Sequence, residues 1–537
     1  MTDSPKLSNP MTYSPKHRRH HSTASTTEPK INPKPTAPPR KHEAGEEAPL
    51  FVLITTYLGY ALLTLVGHLR EILDKFFFPE QFKDLRVHNG MAPLMSDFDS
   101  FYSRRSFFRI RDCWNRPVTG VPSRTITLLE RTTPDENRTL QLTGEQVTCI
   151  NMASYNYLGF AQAHGPCADA VEQCIDSVGV SIASPRAEHG TIAIHRELEE
   201  LVARFLGVEA AVVFGMGFAT NSAMIPALVD KGCLIMSDQL NHSSLVTGCR
   251  LSGATIATFL HNNMNDLEEK LREQIVSGQP RTHRPWRKIL VVVEGLYSME
   301  GSILRLPDLL ALKRKYKFYL FVDEAHSIGA LGPNGRGVCD LWGVDPREVD
   351  VLMGTFTKSF GAAGGYLAGS RQLVEHLKRE GPGYLYSEPI MPPICQQVLT
   401  SMRIIMGEQE GCEDEGRLRL TAIRENSIYF MRELKKMGFI VYGDEGSPII
   451  PALIFNPGKI AAFSRECLAR GVAVVVVGFP ATPIISSRVR FCISASHTRQ
   501  DLDRVLSVVK EVGTIMMMRV SARRYVEEED GALREIK

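Results

Sequence analysis

No C-x-x-C pair occurs in this chain, although it carries 11 cysteines. Thiols scattered in that way suit a reducing compartment, where disulfides do not persist and free cysteines sit buried. The sequons at Asn137-Arg138-Thr139 and Asn241-His242-Ser243 are accordingly expected to carry no sugar. An excess of one charge is lacking too: 23% of the 537 residues are charged, yet the net charge is +2. No global field therefore argues for a nucleic-acid partner. A secretory signal places its apolar run directly after a short basic start, and here that run arrives too late. Residues 1–47 are instead rich in Pro, Ser, Thr, Lys and His, without hydrophobic periodicity. Such a stretch cannot bury enough apolar surface to offset the entropy of ordering, so a disordered tail is expected. It is basic at first (Lys16, Arg18, Arg19) and acidic at its end (Glu43, Glu46, Glu47). No internal repeat is found, and no metal is expected.

What is present begins with Ala48 to Val66, 19 residues without a charge. That is close to the roughly 20 residues a helix needs to cross a bilayer. The amphipathic continuation through Leu69, Ile72, Leu73, Phe76 and Phe77 allows a helix lying in the interface instead. Membrane attachment over 48–77 is favoured over a buried core helix, with spanning and lying flat both open. Arg70 and Lys75 hint at a cytoplasmic downstream side. A lead-in at 78–150 is dense in aromatics and arginines: Phe98, Phe101, Tyr102, Phe107, Phe108, Arg104, Arg105, Arg109 and Arg111. It is short and mixed with acids, so packing against a partner or a membrane surface is favoured over RNA. Trp114-Asn115-Arg116-Pro117 then opens a turn-rich stretch.

From Ile150 onward, short apolar runs alternate with helical patterns: Ala210–Phe214, Leu234–Met236, Ile289–Val293, Phe318–Val322 and Val349–Met353. Alternation of that kind implies a largely parallel sheet covered on both faces, with ligands at the carboxyl ends of its strands. Residues 151–400 are read as this catalytic domain. Beyond it come charged helices, an apolar strand at Val472–Val477 and a helix near Asp501–Val512, read as a smaller domain over 401–515 with a tail at 516–537.

The run Val349–Met353 leads into Gly354-Thr355-Phe356-Thr357-Lys358-Ser359-Phe360-Gly361, with Gly364-Gly365 behind it. A lysine amine there can condense with an aldehyde while Thr355 and Thr357 donate to a nearby phosphate. A surface lysine in a strand-to-helix turn is the plainer alternative. Asp323-Glu324-Ala325-His326 closes the strand Phe318–Val322, where a carboxylate can pair with a protonated ring nitrogen and a His can reach the same ligand. The same four letters occur in a class of helicases. Those need a phosphate loop ending in Gly-Lys-Ser/Thr, and Gly332-Pro333-Asn334-Gly335-Arg336-Gly337 has no such ending. Gly215-Met216-Gly217-Phe218-Ala219-Thr220-Asn221 follows a strand, with backbone N–H groups suited to a phosphate or simply a tight turn. Ser237-Asp238-Gln239-Leu240-Asn241-His242-Ser243 places an imidazole just past a strand, either stacking on a planar ring or satisfied structurally. Arg488-Val489-Arg490-Phe491, ahead of Ser494-Ala495-Ser496-His497-Thr498, offers an arginine able to clamp a carboxylate, unless it is a solvated strand residue.

In this order and at these intervals, the motifs resemble the α-oxoamine synthase family of pyridoxal-phosphate enzymes over residues from about 95 to 515. The resemblance implies an α/β fold of the fold-type I, aspartate-aminotransferase-like kind: a mostly parallel sheet and a smaller α+β C-terminal domain, preceded by a membrane helix. It implies that Lys358 holds pyridoxal 5'-phosphate covalently and later removes the substrate Cα proton. It implies further that Asp323 keeps the pyridine nitrogen protonated, His326 bonds the ring hydroxyl and His242 stacks on the ring. Thr355, Thr357, Gly217 and Phe218 would contact the phosphate, and Arg490 and Asn156 would bind the amino-acid substrate. The lysine motif, Val477-Gly478-Phe479-Pro480-Ala481-Thr482-Pro483 and the segment from Glu47 to Tyr60 resemble the branch that condenses L-serine with a long-chain acyl-CoA to 3-ketosphinganine. That branch implies a heteromer with a related, lysine-lacking subunit, room for small regulatory subunits, and an endoplasmic-reticulum membrane with the catalytic domain facing the cytosol. A glycine-using sibling fits the membrane segment poorly. A non-catalytic membrane subunit has no need of intact Lys358, Asp323, His326 and His242. Two departures stand out: Ser184-Pro185-Arg186 where the family commonly has Ser-Thr-Arg, and Tyr386-Ser387-Glu388-Pro389 where related catalytic subunits read Tyr-Ala-Thr-Ser. They bear on acyl-chain preference and on use of the site from one side only.

Overall fold

The computed structural model describes residues 46–536, apart from 88, 94–96, 98–100, 102, 136, 480 and 528–532. Most of the expected tail, and Phe98, Tyr102 and Pro480 among the residues singled out above, lie outside the described residues. The apolar run at Ala48–Val66 belongs to a longer helix, α1 (Leu50–Phe77), which takes in the amphipathic continuation without a break. Three strands follow in the lead-in: β1 (Val118–Thr119), β2 (Thr125–Thr132) and β3 (Gln141–Asn151).

The alternating region supplies β4 (Ala210–Phe214), β5 (Leu234–Asp238), β6 (Thr255–Phe259), β7 (Ile289–Glu294), β8 (Tyr319–Asp323), β9 (Val351–Thr355) and β10 (Gly365–Gly369). They form one sheet in the order β4-β10-β9-β8-β7-β5-β6. The pairs from β6 through β9 are parallel, while β10 runs antiparallel to both its neighbours. Parallel strands covered on both faces read as continuous apolar runs, because neither side meets water. Their side chains still sort with a period of two. Leu234, Met236, Val291, Val293, Leu320 and Val322 pack into one core. Ile235, Leu290, Val292, Phe321 and Met353 pack into another on the opposite face. The expected strands start or end within two residues of those observed, and β8 and β9 run on to include Asp323 and Thr355 themselves.

The remaining strands are β11 (Ile449–Leu453), β12 (Val472–Ala473), β13 (Val475–Val477), β14 (Arg488–Cys492), β15 (Arg524–Glu527) and β16 (Leu533–Ile536). The apolar stretch Val472–Val477 is not one strand. β12 pairs in parallel with β3, and after Val474 the chain enters a different sheet, β11-β14-β13. The lead-in therefore shares a core with the C-terminal part: Cys113, with Met152 just past β3, lies buried with Phe430, Phe463, Val476 and Phe491. Residues beyond 515, read as a tail, carry the β15–β16 hairpin.

The arginine-rich stretch finds its partners within the chain. Arg104 and Arg105 pair with Glu71 and Asp74 of α1, and Phe101 stacks on His68 at 4.1 Å. An outside partner or membrane surface is not what neutralises these two arginines. Near the other end of α1, Val52 is buried against Ile440, Leu453 and Phe455. Much of the helix's remaining apolar surface faces outward: Ile54, Leu58, Leu62, Leu65, Leu69 and Ile72 are exposed.

Candidate active site

Parallel strands bring polar residues from separate runs side by side at their carboxyl ends. Here β7 ends in Glu294, β8 in Asp323 and β9 in Thr355, with Glu294 and Asp323 directly paired in register. Asp323 is buried. Its Oδ1 accepts the Ala325 N–H at 2.8 Å and its Oδ2 accepts from Asn221 Nδ2 at 2.7 Å. Burial pushes both carboxyls up, Glu294 well above the usual range, because a second charge beside Asp323 is doubly unfavourable.

Lys358 stands three residues beyond β9, where the turn through Gly361 brings it back to these carboxyls. The positive φ of 61° at Gly361 and its approach to the Phe160 and Ala161 backbone leave no room for a side chain. Lys358 as a whole is half-buried, but its amine is enclosed by protein. That desolvation pushes it down to about 8, opposed by the charges of Asp323 and Glu294. Its Nζ lies 5.8 Å from the Tyr155 ring centre.

Arg490, on β14 of the other sheet, reaches the same ring, its guanidinium 4.6 Å from the Tyr155 centroid. It is buried, its Nη1 touches Met299 Sδ at 3.6 Å, and its Nε has no hydrogen-bond partner among the described residues. A buried cation left short of acceptors is costly unless a ligand completes it. Arg488, two residues earlier, is instead satisfied by the Met299 carbonyl and Glu300.

His242 caps the helix Ser243–Leu251. Its Nδ1 accepts from Ser244 N–H at 3.2 Å and lies 2.8 Å from Ser244 Oγ, while its backbone N–H donates to Glu294 Oε1 at 2.5 Å. The residue is exposed, and its ring meets Phe218 edge-on at 6.1 Å. Partial desolvation pushes its pKa down, with Asp323 opposing and Lys358 adding to the fall. His326 is buried, its Nδ1 2.8 Å from Tyr157 OH and its ring edge-on to Tyr155, and desolvation pushes its pKa well down.

The hydroxyl pair expected to meet a phosphate is close-knit. Thr355 Oγ1 donates to the Gly364 carbonyl at 2.9 Å and lies 2.8 Å from Thr357 Oγ1; Thr357 is the exposed member. Gly217 sits against it so closely that a Cβ there would come within 2.8 Å of Thr355 Oγ1. Asn156 is different. Its amide is engaged by its own loop, accepting from Ala161 N–H at 3.2 Å and donating to the Ala161 carbonyl at 3.3 Å. In this structure it holds the turn carrying Tyr155 and Tyr157 and does not aim its amide into the site. Arg186, beside Pro185, is likewise internal, paired with Glu199 at 2.9 Å. Glu388 and Pro389 lie with their carbonyls against Gly215, at the edge of the glycine turn.

Asn221, Glu294, Tyr155 and Tyr157 were not expected at the site. Glu294 carries the same signal as Asp323, a carboxyl ending an apolar strand, here ahead of a glycine. Asn221 stands at the end of the glycine motif, and only strand order brings it to Asp323, 102 residues away.

The gathered groups fit pyridoxal phosphate on the structure's own terms. They supply an amine poised near neutrality, a buried carboxylate, an exposed flat imidazole, a glycine-lined hydroxyl cradle and a buried guanidinium with an orphaned nitrogen. The sequence profile of the aminotransferase class I and II family matches residues 147–509. Serine palmitoyltransferase 3 of Homo sapiens is 50% identical over 485 residues, 90% of this chain and 88% of that protein. Serine palmitoyltransferase 2 of Saccharomyces cerevisiae is 50% identical over 87% of this chain and 82% of its own length. Among solved structures, serine palmitoyltransferase of Sphingomonas wittichii superposes with a TM-score of 0.68 at 28% identity, over 79% of this chain and 99% of that one. A high-resolution structure of SPT with its PLP internal aldimine gives 0.69 at 27% identity over the same shares.

Proposed function

The chain belongs to the serine palmitoyltransferase family, within the class I and II aminotransferases, and from that premise we propose how its own residues carry the reaction. It is a pyridoxal-phosphate-dependent acyltransferase of sphingolipid synthesis. L-Serine and a long-chain acyl-CoA give 3-ketosphinganine, free CoA and carbon dioxide. Bound pyridoxal phosphate supplies an electron sink for the serine α-carbon.

Lys358 would hold the cofactor and then act as the base at the serine α-carbon. An amine at about 8 keeps a useful neutral fraction near neutral pH, where an ordinary lysine has almost none. Asp323, fixed by Ala325 and Asn221, would face the ring nitrogen with its negative charge. His242 would lie flat on the ring. His326 has Nδ1 engaged with Tyr157, which leaves Nε2 for the ring hydroxyl. Thr357, with Thr355 behind it and the Gly217-Phe218 backbone beside it, would meet the phosphate. Arg490 would take the serine carboxylate through its unpartnered Nε edge. Asn156 would serve indirectly, by holding the Tyr155–Tyr157 turn. The observation that carries this reading is the depressed amine of Lys358 beside two buried strand-end carboxyls. Lys358→Ala tests it: condensation should fall by at least about a thousandfold while the melting temperature stays within a few degrees. Product formed at the wild-type rate would refute the role of Lys358.

The relatives are serine palmitoyltransferases by name, and α1 is long and apolar enough to cross a membrane. We further propose a heteromer with a related, lysine-lacking subunit on the cytosolic face of the endoplasmic reticulum, with α1 lying flat. Contacts along α1 support the last point. Val52, Thr56, Gly67 and Glu71 face the protein over about 28 Å of helix, while much of the remaining surface is apolar and exposed. A helix tied to the body along its length presents one stripe to lipid. The chain expressed with its partner subunit in sealed vesicles should leave an N-terminal epitope open to protease on the catalytic side. Protection of that epitope would mean that α1 spans.

A further inference from the structure

Asp323 and His242 come from different elements, yet two side chains link them without a gap. Asn221 Nδ2 lies 2.7 Å from Asp323 Oδ2 and 3.0 Å from Ser244 Oγ, and Ser244 Oγ lies 2.8 Å from His242 Nδ1. The direction of each bond follows from the chemistry of the groups. A carboxylate only accepts, so the Asn221 amide must turn its NH2 toward Asp323, and the second proton of that NH2 goes to Ser244. Ser244 Oγ, already accepting, then sends its own proton to His242 Nδ1. The Ser244 backbone N–H points at the same nitrogen at 3.2 Å. With two donors on Nδ1, the imidazole must carry its single proton on Nε2.

The linkage is built, not incidental. Asn221 and Ser244 are both buried, and Asn221 Oδ1 is left without a partner among the described residues, so the amide's orientation is held for its NH2 side. The helices Gly217–Ser222 and Ser243–Leu251 meet so tightly that a Cβ at Gly248 would come within 2.6 Å of the Asn221 carbonyl. That contact fixes the spacing the two bonds require.

We propose that Asn221 and Ser244 are positioning residues whose one-way hydrogen-bond relay locks Asp323 as an acceptor and His242 as the neutral Nε2–H tautomer. The stacked imidazole then adds no positive charge over a cofactor ring whose nitrogen Asp323 must keep protonated. The role assigned to the relay rests on the functional reading above; its protonation pattern does not. The titratable groups around His242 are Asp323 from β8, Lys358 from the turn after β9 and Glu294 from β7, with Phe218 at the ring edge.

The test uses full-length chain labelled with 15N-histidine, with His242 assigned by the signal lost in His242→Asn. In the cofactor-free wild type, His242 should show the Nε2–H tautomer at pH 7. Ser244→Ala should raise its titration midpoint, and Ser244→Thr should restore it. Asn221→Asp, which keeps the shape but removes both amide donors, should raise the midpoint as well. In the same variant the dissociation constant for pyridoxal phosphate, read by absorbance, should rise about tenfold. A wild-type Nδ1–H tautomer or a doubly protonated ring at pH 7 would overturn the proposal. So would an unchanged His242 titration in both Ser244→Ala and Asn221→Asp. A wild-type chain that binds no pyridoxal phosphate would instead sink the functional reading, leaving the tautomer result to support the relay by itself.

Discussion

At the carboxyl ends of β7, β8 and β9, Glu294, Asp323 and Lys358 crowd one desolvated space. At the opposite ends of the same strands a cavity of about 430 Å³ is lined by Lys288, Asp350 and His376, among others. Both places hold ionisable side chains. In the second, each of these three has its partner: Lys288 donates to the Leu228 carbonyl, His376 bonds the Ala227 carbonyl, and Asp350 pairs with Lys313 at 2.6 Å. In the first, Arg490 Nε and Asn221 Oδ1 are unpaired among the described residues, and the amine of Lys358 is held at about 8. Unmet hydrogen-bonding capacity sets the first apart, and buried polar groups left unpaired mark a place that a ligand can complete.

Lys358→Ala is the sharpest way to break this contrast. Asp323→Asn comes next. The cofactor should still bind, but without the counter-charge the α-carbon proton of serine should leave at least about a hundredfold more slowly. Deuterium exchange at serine Cα measures this step, and exchange at the normal rate would remove Asp323 from its role.

The pH behaviour of the free amine sharpens the comparison without turnover. Burial lowers the pKa of Lys358, so in cofactor-free protein its neutral form dominates above about 8. An exposed lysine needs a pH above about 10.4 for that. Reductive capture of an aldehyde by Lys358 should therefore rise through pH 8 and level off. A rate still climbing at pH 10 would contradict the assigned environment. The smallest effect is expected at the other end of the sheet. Lys288→Met removes a satisfied cation, and condensation should stay within about twofold of wild type, with stability changed by about 1 kcal/mol or less. A large loss of activity there would mean that the amino-end cavity is also functional.

Much of the site was legible because it is written locally. Lys358, Asp323 and His242 each follow an apolar run within a few residues, and a parallel strand buried on both faces must release its first polar residue at its end. Asn156 shows the limit. The family resemblance implied a substrate ligand, but its amide bonds Ala161, five residues on, and closes a local turn. Arg104 and Arg105 show it again, since their acids on α1 are more than 30 residues away.

The sequence by itself determined five strands of the main sheet, their order along the chain, the lysine turn and the apolar length of α1, because each rests on residue spacing within one element. Tertiary structure decided what those elements do to one another. The sheet order set Glu294 beside Asp323, and the crossing of two helices at Gly248 let Asn221 reach both Asp323 and Ser244. The change of sheet at Val474 put β14 and Arg490 against Tyr155. These are contacts between residues tens to hundreds of positions apart. Their cost in chain entropy is met only by the whole core, so no local pattern records them.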